Sequence, residues 1–265
     1  MKSEFKIKPF SLPGDDPINH PILIAGPCSA ETEKQVLNTA ESLKDMGVDV
    51  FRAGIWKPRT YPGGFEGIGV SGLSWLKRVK EQTGMYVTTE VANKKHVQEA
   101  LNYGIDIVWI GTRTTANPFS VEEIASALEG TKIPVMVKNP IHPELSMWVG
   151  AIERFVSHGL TNIAAVHRGF SIYSRNRFRY PPQWEIPLKL KKYFPGIAVI
   201  HDPSHISGNR KLVPKLIKKA LHLHFDGLMV EVHPDPDSAL TDSRQQLTPE
   251  IFRQIIKARH LRKSQ

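Results

Sequence analysis

Apolar and polar positions alternate along this chain with two periods. Short runs rich in Val, Ile, Leu and Ala recur between longer stretches whose apolar residues fall three or four positions apart. The strand-like runs are Ile22 to Ala25, Val48 to Ala53, Tyr86 to Val91, Ile105 to Ile110, Pro134 to Val137, Asn162 to Val166, Ala198 to His201 and Gly227 to Val232. Between them Val36, Ala40 and Leu43, then Trp148, Ile152 and Phe155, then Leu212, Leu216 and Leu223 each draw one apolar face on a helix. Gly47, Gly84, Gly104, Gly159 and Gly196 follow helical patterns and precede strands, where left-handed helix termini are expected. Strand alternating with helix predicts a parallel sheet covered by helices. Eight such units with short connections close into a (β/α)₈ TIM barrel more readily than into an open doubly wound sheet.

The same pattern divides the chain. Residues 1–20 carry no helical period and contain the turn Leu12-Pro13-Gly14, so they read as an N-terminal arm or short hairpin under a barrel formed by 21–265. One connection is long and irregular. Gly169 to Pro182 is rich in Arg and Tyr and reads as a mobile lid or an oligomer contact.

The length of 265 residues suits the fold, which usually takes roughly 250. A formal charge of +9 raises the possibility of a nucleic-acid surface, but much of the excess lies in amphipathic stretches, Lys211 to Lys219 and Arg253 to Lys263. Solvated helix faces account for it, and no nucleic-acid partner is expected. The charged start, Met1-Lys2-Ser3-Glu4-Phe5-Lys6, is unlike a signal peptide, and no apolar run reaches the roughly 18 residues of a membrane span. A cytoplasmic protein without a membrane partner is the expectation. The single cysteine, Cys28, forms no intrachain disulfide and is inert packing, a metal ligand or a reactive thiol.

A barrel places its chemistry at the C-terminal ends of its strands, and the unusual residues of this chain fall there. Gly26-Pro27-Cys28-Ser29 follows the first run, Arg52 and Lys57-Pro58-Arg59-Thr60 the second, and Glu90 ends the third. Arg113, Lys138, Arg168 and His205 follow the fourth to seventh, and Glu231 with Asp242 the eighth. Cys28, His205, Glu231 and Asp242 offer S, N and O donors, a mixture suited to manganese, iron(II), cobalt or zinc rather than magnesium or calcium. Singly, each has a plainer reading as packing, capping or solvated charge, and His201 reads as a hydrogen-bonded core histidine. Arg52, Lys57, Arg59, Arg113, Lys138 and Arg168 form a cationic set that implies a substrate, or two, with several negative charges.

Four ordered motifs carry a resemblance. Gly26-Pro27-Cys28-Ser29, Lys57-Pro58-Arg59-Thr60, Asp202-Pro203-Ser204-His205, and Glu231-Val232-His233-Pro234 followed by Asp242-Ser243 resemble those of the 3-deoxy-D-arabino-heptulosonate-7-phosphate synthases. Gln245-Gln246-Leu247 is similar to their compact type I beta-like subclass, and the likeness runs from about Ile22 to Phe252. The resemblance implies condensation of phosphoenolpyruvate with erythrose 4-phosphate, opening the shikimate pathway to chorismate and the aromatic amino acids. It implies that Cys28, His205, Glu231 and Asp242 hold a divalent metal, manganese foremost. It implies that Arg113, Lys138 and Arg168 with Lys57 bind phosphoenolpyruvate, and that Arg59 and Thr60 bind the aldose phosphate. Arg52 and Glu90 align with active-site positions. Lys57 is expected to protonate at the methylene position or to orient the attacking water. Asn139-Pro140 stands where some compact members have Arg-Gly, and the Arg-rich connection after Arg168 is another departure. Relatives suggest a homo-oligomer, and a chorismate mutase domain beyond Gln265 in a longer natural chain. The rival readings are the octulosonate 8-phosphate synthase, which has Ala-Asn between Lys and Arg where this chain has Pro58, and a metal-free Schiff-base aldolase using Lys57 or Lys138.

Overall fold

The computed structural model describes residues 4–14, 20–57, 63–173 and 176–260. Eight parallel strands form a closed barrel in sequence order. They are β1 (Ile22–Gly26), β2 (Val50–Arg52), β3 (Tyr86–Val91), β4 (Ile107–Ile110), β5 (Val135–Lys138), β6 (Ile163–His167), β7 (Ala198–His201) and β8 (Gly227–Glu231). The ring closes where β1 pairs with β8, Ile22 opposite Gly227 through Gly26 opposite Glu231. Around it lie α1 (Glu33–Leu43), α2 (Ser71–Thr83), α3 (Lys94–Asn102), α4 (Thr112–Thr115), α5 (Pro118–Leu128), α6 (Leu145–Ser157), α7 (Glu185–Tyr193), α8 (Pro203–Ser207), α9 (Val213–His222) and α10 (Pro249–His260). The short α4 and α8 sit in loops that follow strands, between the barrel and its outer helices. Among the described residues, no helix is long and apolar enough to cross a membrane.

Side chains of each strand alternate between two cores. Ile22, Ile24, Val50, Ile107, Trp109, Met136, Ala164, Val166, Ile200 and Met229 fill the barrel, while Leu23, Ala25, Phe51, Val87, Val108 and Val135 meet the helices outside. Phe10 and Leu12 of the N-terminal arm join the inner cluster. Lys8 N–H donates to Thr161 O at 3.0 Å and Asn162 Nδ2 to Ser11 O at 3.0 Å, so the arm is tied across the start of β6. Residues 4–14 form no strand.

The apolar runs of β2 and β4 extend two residues before the strands themselves, and there, as before β8, an aspartate side chain takes over the edge of the ladder. Asp49 before β2 accepts the amide of Leu23 at 2.7 Å, Asp106 before β4 that of Val87 at 2.9 Å, and Asp226 before β8 that of Val199 at 2.7 Å. Each aspartate binds the strand preceding its own, so the device ties β1 to β2, β3 to β4 and β7 to β8 at the lower rim. Gly47, Gly84, Gly104 and Gly159 have the left-handed backbone expected of them, but Gly196 does not. A side chain at 196 would stand 2.4 Å from Ile7 O, so close passage of the arm explains that glycine.

The connection from Gly169 to Pro182 is fastened to the barrel where it is described. Phe170 N–H donates to Pro181 O at 3.0 Å, and Arg179 and Tyr180 amides donate to Ser207 O and Ile206 O at 3.3 and 3.2 Å. His167 Nε2 lies 2.6 Å from Pro182 O, which only accepts, so that nitrogen carries the proton. His167 Nδ1 then accepts from His201 Nδ1 at 3.2 Å, and the buried His201 Nε2 has no partner among the described residues. Both rings are neutral by construction, and burial pushes His167 down to about 4.

Two outcomes follow from this packing. Gly26 has φ +148°, and an added Cβ would meet Arg52 O at 2.1 Å, so Gly26→Ala forces β1 from β2. Chemical denaturation is expected to show a loss of about 3 kcal/mol or more. The unfolded chain protonates His167 near 6.5 and the folded chain only near 4, so stability is lost as pH falls through that window, by up to roughly 3 kcal/mol. Urea unfolding across the window is expected to give a shallower slope for His167→Gln; equal slopes count against the assignment.

Candidate active site

Strand closure brings the first and last strand ends together, and with them the four mixed donors. Cys28 stands in the loop after β1, Glu231 ends β8, Asp242 lies in the loop beyond, and His205 belongs to α8 after β7. Ligand atoms of Cys28, Glu231 and Asp242 all lie within 4.8 Å of one another. Cys28 Sγ is 3.5 Å from Asp242 Oδ2, and His205 Nε2 is 3.6 Å from Glu231 Oε1 and 3.8 Å from Asp242 Oδ2. Glu231 is fully buried, yet its Oε1 accepts no hydrogen bond from the described residues, although Arg52 Nη2 lies 3.3 Å away. A carboxylate oxygen left without a donor beside a thiol, an imidazole and a second carboxylate fits a divalent cation. Burial, and then the Glu231 charge, push the Cys28 thiol up to about 12. As a ligand it would lose its proton to the metal's field.

His205 is aimed by its own helix cap. Asp202 caps α8, its Oδ1 accepting the His205 amide at 3.1 Å and its Oδ2 lying 2.7 Å from His205 Nδ1. The contact places the proton on Nδ1 and turns the Nε2 lone pair toward the two carboxylates. Burial opposes charge on Asp202, but His205 and Lys138 outweigh it and hold the carboxyl well below its usual range. Lys138 Nζ reaches Asp202 Oδ2 at 3.2 Å, though burial still draws the ammonium below its ordinary value. His201 lies apart, against His167 and Trp184.

Beside the donors opens a cavity of about 240 Å³ lined by Lys57, Glu90, Arg113, Lys138, Arg168, Arg179 and Tyr180, with Cys28, His205 and Asp242 on its wall. Lys57 Nζ is 3.4 Å from Cys28 Sγ. Burial works against its charge, but Cys28 and Glu90 prevail and hold the ammonium above its ordinary value. Trp109 forms an aromatic support, with Arg52 and Lys138 over its ring at 5.1 and 5.6 Å and its indole N–H donating to Glu90 Oε2 at 3.0 Å. Arg168 lies over the Tyr180 ring at 3.7 Å, and its buried Nη1 has no hydrogen-bond partner among the described residues. A buried guanidinium with an unused donor in a cationic cavity implies an anionic ligand.

Of the expected site residues, ten are described and surround this one mouth. Arg59 and Thr60 lie outside the described residues. Arg52 and Glu231 are not among the residues lining the cavity: they face each other behind it, and Arg52 also donates to Cys28 O at 3.2 Å. Asn139, which departs from the family pattern, is a brace. Its Oδ1 accepts the Arg168 amide at 2.7 Å and its Nδ2 donates to Gly169 O at 2.8 Å. Arg179, Tyr180, Asp202 and Gln245 were not anticipated as site residues. Asp202 and Gln245 sit inside quoted motifs, whereas Arg179 and Tyr180 could be suspected only from the Arg-rich composition of their connection.

The chain can now be set beside known proteins. Residues 10–262 match the model of the DAHP synthetase I family. The phospho-2-dehydro-3-deoxyheptonate aldolase of Thermotoga maritima is 32% identical over 234 residues, 88% of this chain and 67% of that protein. A 2-dehydro-3-deoxyphosphooctonate aldolase of Syntrophotalea carbinolica is 29% identical over 260 residues, 90% of each chain. The crystal structure of the Thermotoga maritima DAHP synthase superposes with a TM-score of 0.87 at 30% identity, covering 98% of this chain and 77% of that one. A truncated form of the synthase from the same organism gives 0.82 at 28% identity, covering 95% and 91%. With a family model spanning nearly its whole length and a shared barrel, the chain belongs to the DAHP synthetase I family.

Proposed function

We propose that this protein is a metal-dependent 3-deoxy-7-phosphoheptulonate synthase, condensing phosphoenolpyruvate with erythrose 4-phosphate and releasing phosphate in the cytoplasm as the first step of the shikimate pathway. One observation carries the reading: a mixed thiol, imidazole and carboxylate cluster shares its mouth with a cationic cavity. Each half suits one need of this reaction. Cys28, His205, Glu231 and Asp242 would hold the ion, manganese foremost, with iron, cobalt or zinc as alternatives. The ion supplies Lewis acidity toward an aldehyde oxygen.

The rest is work for the side chains. Two anionic substrates repel each other, and Arg113, Lys138 and Arg168 offset that repulsion by holding phosphoenolpyruvate at attack distance. Arg59 and Thr60 serve the aldose phosphate. The methylene carbon of phosphoenolpyruvate forms the new bond to the aldehyde carbon, water adds to its second carbon, and phosphate departs with the carbon–oxygen bonding pair. The methylene carbon is the nucleophile and takes no proton. The proton is needed on the aldehyde oxygen, and water releases one when it adds. Lys57, whose ammonium is favoured beside Cys28 and Glu90, delivers the first and recovers the second. The octulosonate synthase reading predicts a longer aldose and a different loop after Lys57.

Phosphate release from phosphoenolpyruvate tests the assignment directly. Erythrose 4-phosphate is expected to support turnover, a chelator to abolish it and manganese to restore it; arabinose 5-phosphate is expected to react at least about tenfold more slowly. Preference for the longer sugar would move the chain to the sibling activity, and turnover in chelator with borohydride trapping would favour the Schiff-base aldolase. Lys57→Ala is expected to lower kcat by roughly 10² or more while elemental analysis still finds the metal. Full activity in that variant refutes the role.

A further inference from the structure

The two carboxylates of the donor cluster do not use their oxygens alike. Asp242 turns Oδ2 toward Cys28 Sγ and His205 Nε2, at 3.5 and 3.8 Å, while its Oδ1 accepts from Arg179 Nη1 at 2.7 Å. Glu231 turns Oε1 toward His205 Nε2 at 3.6 Å, with no hydrogen bond to it among the described residues, while its Oε2 accepts from Gln245 Nε2 at 2.7 Å. Arg179 Nη1 also donates to Gln245 Oε1 at 3.1 Å. The contacts form one chain from Asp242 through Arg179 and Gln245 to Glu231. They also fix the Gln245 amide, since its oxygen must face the guanidinium and its nitrogen the carboxylate.

Resting on the metal-centre reading above, we propose that Arg179 and Gln245 are positioning residues that occupy the outer oxygens of Asp242 and Glu231, so that each carboxylate offers one oxygen to the ion. A carboxylate free to rotate can bind a cation through both oxygens, filling a position that a substrate oxygen needs. Outer hydrogen bonds of this kind prevent that rotation.

The fold goes to some length to deliver Arg179. The residue belongs to the β6–α7 connection, not to the barrel ends that carry the ligands, and its amide is held by Ser207 O at 3.3 Å. Gly208 is in the left-handed region at φ +61°, and a Cβ there would stand 2.6 Å from Arg179 Cβ. The guanidinium lies 5.3 Å from the centre of the Tyr180 ring, which limits its sideways movement. Asp242 itself is held at φ +49°, an uncommon conformation for a residue other than glycine, with Arg179 on its side chain and the Gln245 amide donating to its carbonyl at 3.1 Å. The Arg-rich connection therefore acts on the donor cluster from outside it.

Cobalt(II) is the probe, because its visible absorption weakens as coordination number rises. Metal-free wild type, Arg179→Ala, Arg179→Lys and Gln245→Leu are titrated with cobalt(II), with affinity taken from competition against a chromophoric chelator and folding checked by thermal unfolding. Arg179→Ala is expected to weaken the visible bands and to lose roughly ten- to hundredfold in affinity. Arg179→Lys, which keeps a donor for Asp242, should retain most of the wild-type spectrum. Gln245→Leu, freeing Glu231, should shift the bands as Arg179→Ala does, and it decides the question should Arg179→Ala fail to fold. A wild-type cobalt spectrum in a folded Arg179→Ala or Gln245→Leu protein overturns the proposal, whatever the affinity. Failure of the wild-type chain itself to take up cobalt overturns the metal-centre reading, and this result is distinct from the preceding one.

Discussion

Two carboxylates and a thiol cannot share a few ångströms of buried space unless positive charge balances them. Most of this site can be understood as the answer to that constraint. Arg52 faces Glu231 from below, Arg179 takes the far side of Asp242, Lys57 stands over the Cys28 sulfur, and a divalent ion would occupy the centre. The electrostatics agree. Asp242 is held below the usual carboxylate range, burial opposing its charge but His205 and Arg179 outweighing it, while burial and the charges of Glu231 and Asp242 push the thiol up.

The cationic groups serve two masters, and their positions sort them. Arg52 and Arg179 are engaged by the donor cluster itself, whereas Arg168 keeps a buried donor that no described residue uses. Lys138 divides its attention, bound to Asp202 on one side and resting over Trp109 on the other. Asp202 thus connects the halves of the site, because the same carboxylate that aims His205 also anchors a cation of the cavity. Perturbing it should disturb both.

Much of this was legible in the sequence, for identifiable reasons. A strand buried on both faces must be a short apolar run, so all eight appear as such, and the chemistry-bearing residues stand out because they interrupt the pattern just where runs end. The strand starts at Val50 and Ile107 were less legible, since nothing in an apolar count reveals that Asp49 and Asp106 bind the neighbouring strand through their carboxylates. Gly196 was misread because local sequence carries no trace of the arm passing beside it. Arg179 was hidden for a related reason. Several arginines crowd an irregular connection, and only the folded path selects the one that meets Asp242.

The pairing of β1 with β8 has a temporal consequence. Cys28 is made before the second strand and Asp242 only after the eighth, so a nascent chain that has not reached Asp242 holds the thiol without the complete donor set. A metal held by this set could be captured only once Asp242 has been made. A ribosome that stops short of Asp242 releases a polypeptide with no competent centre, even when most of the barrel has been made.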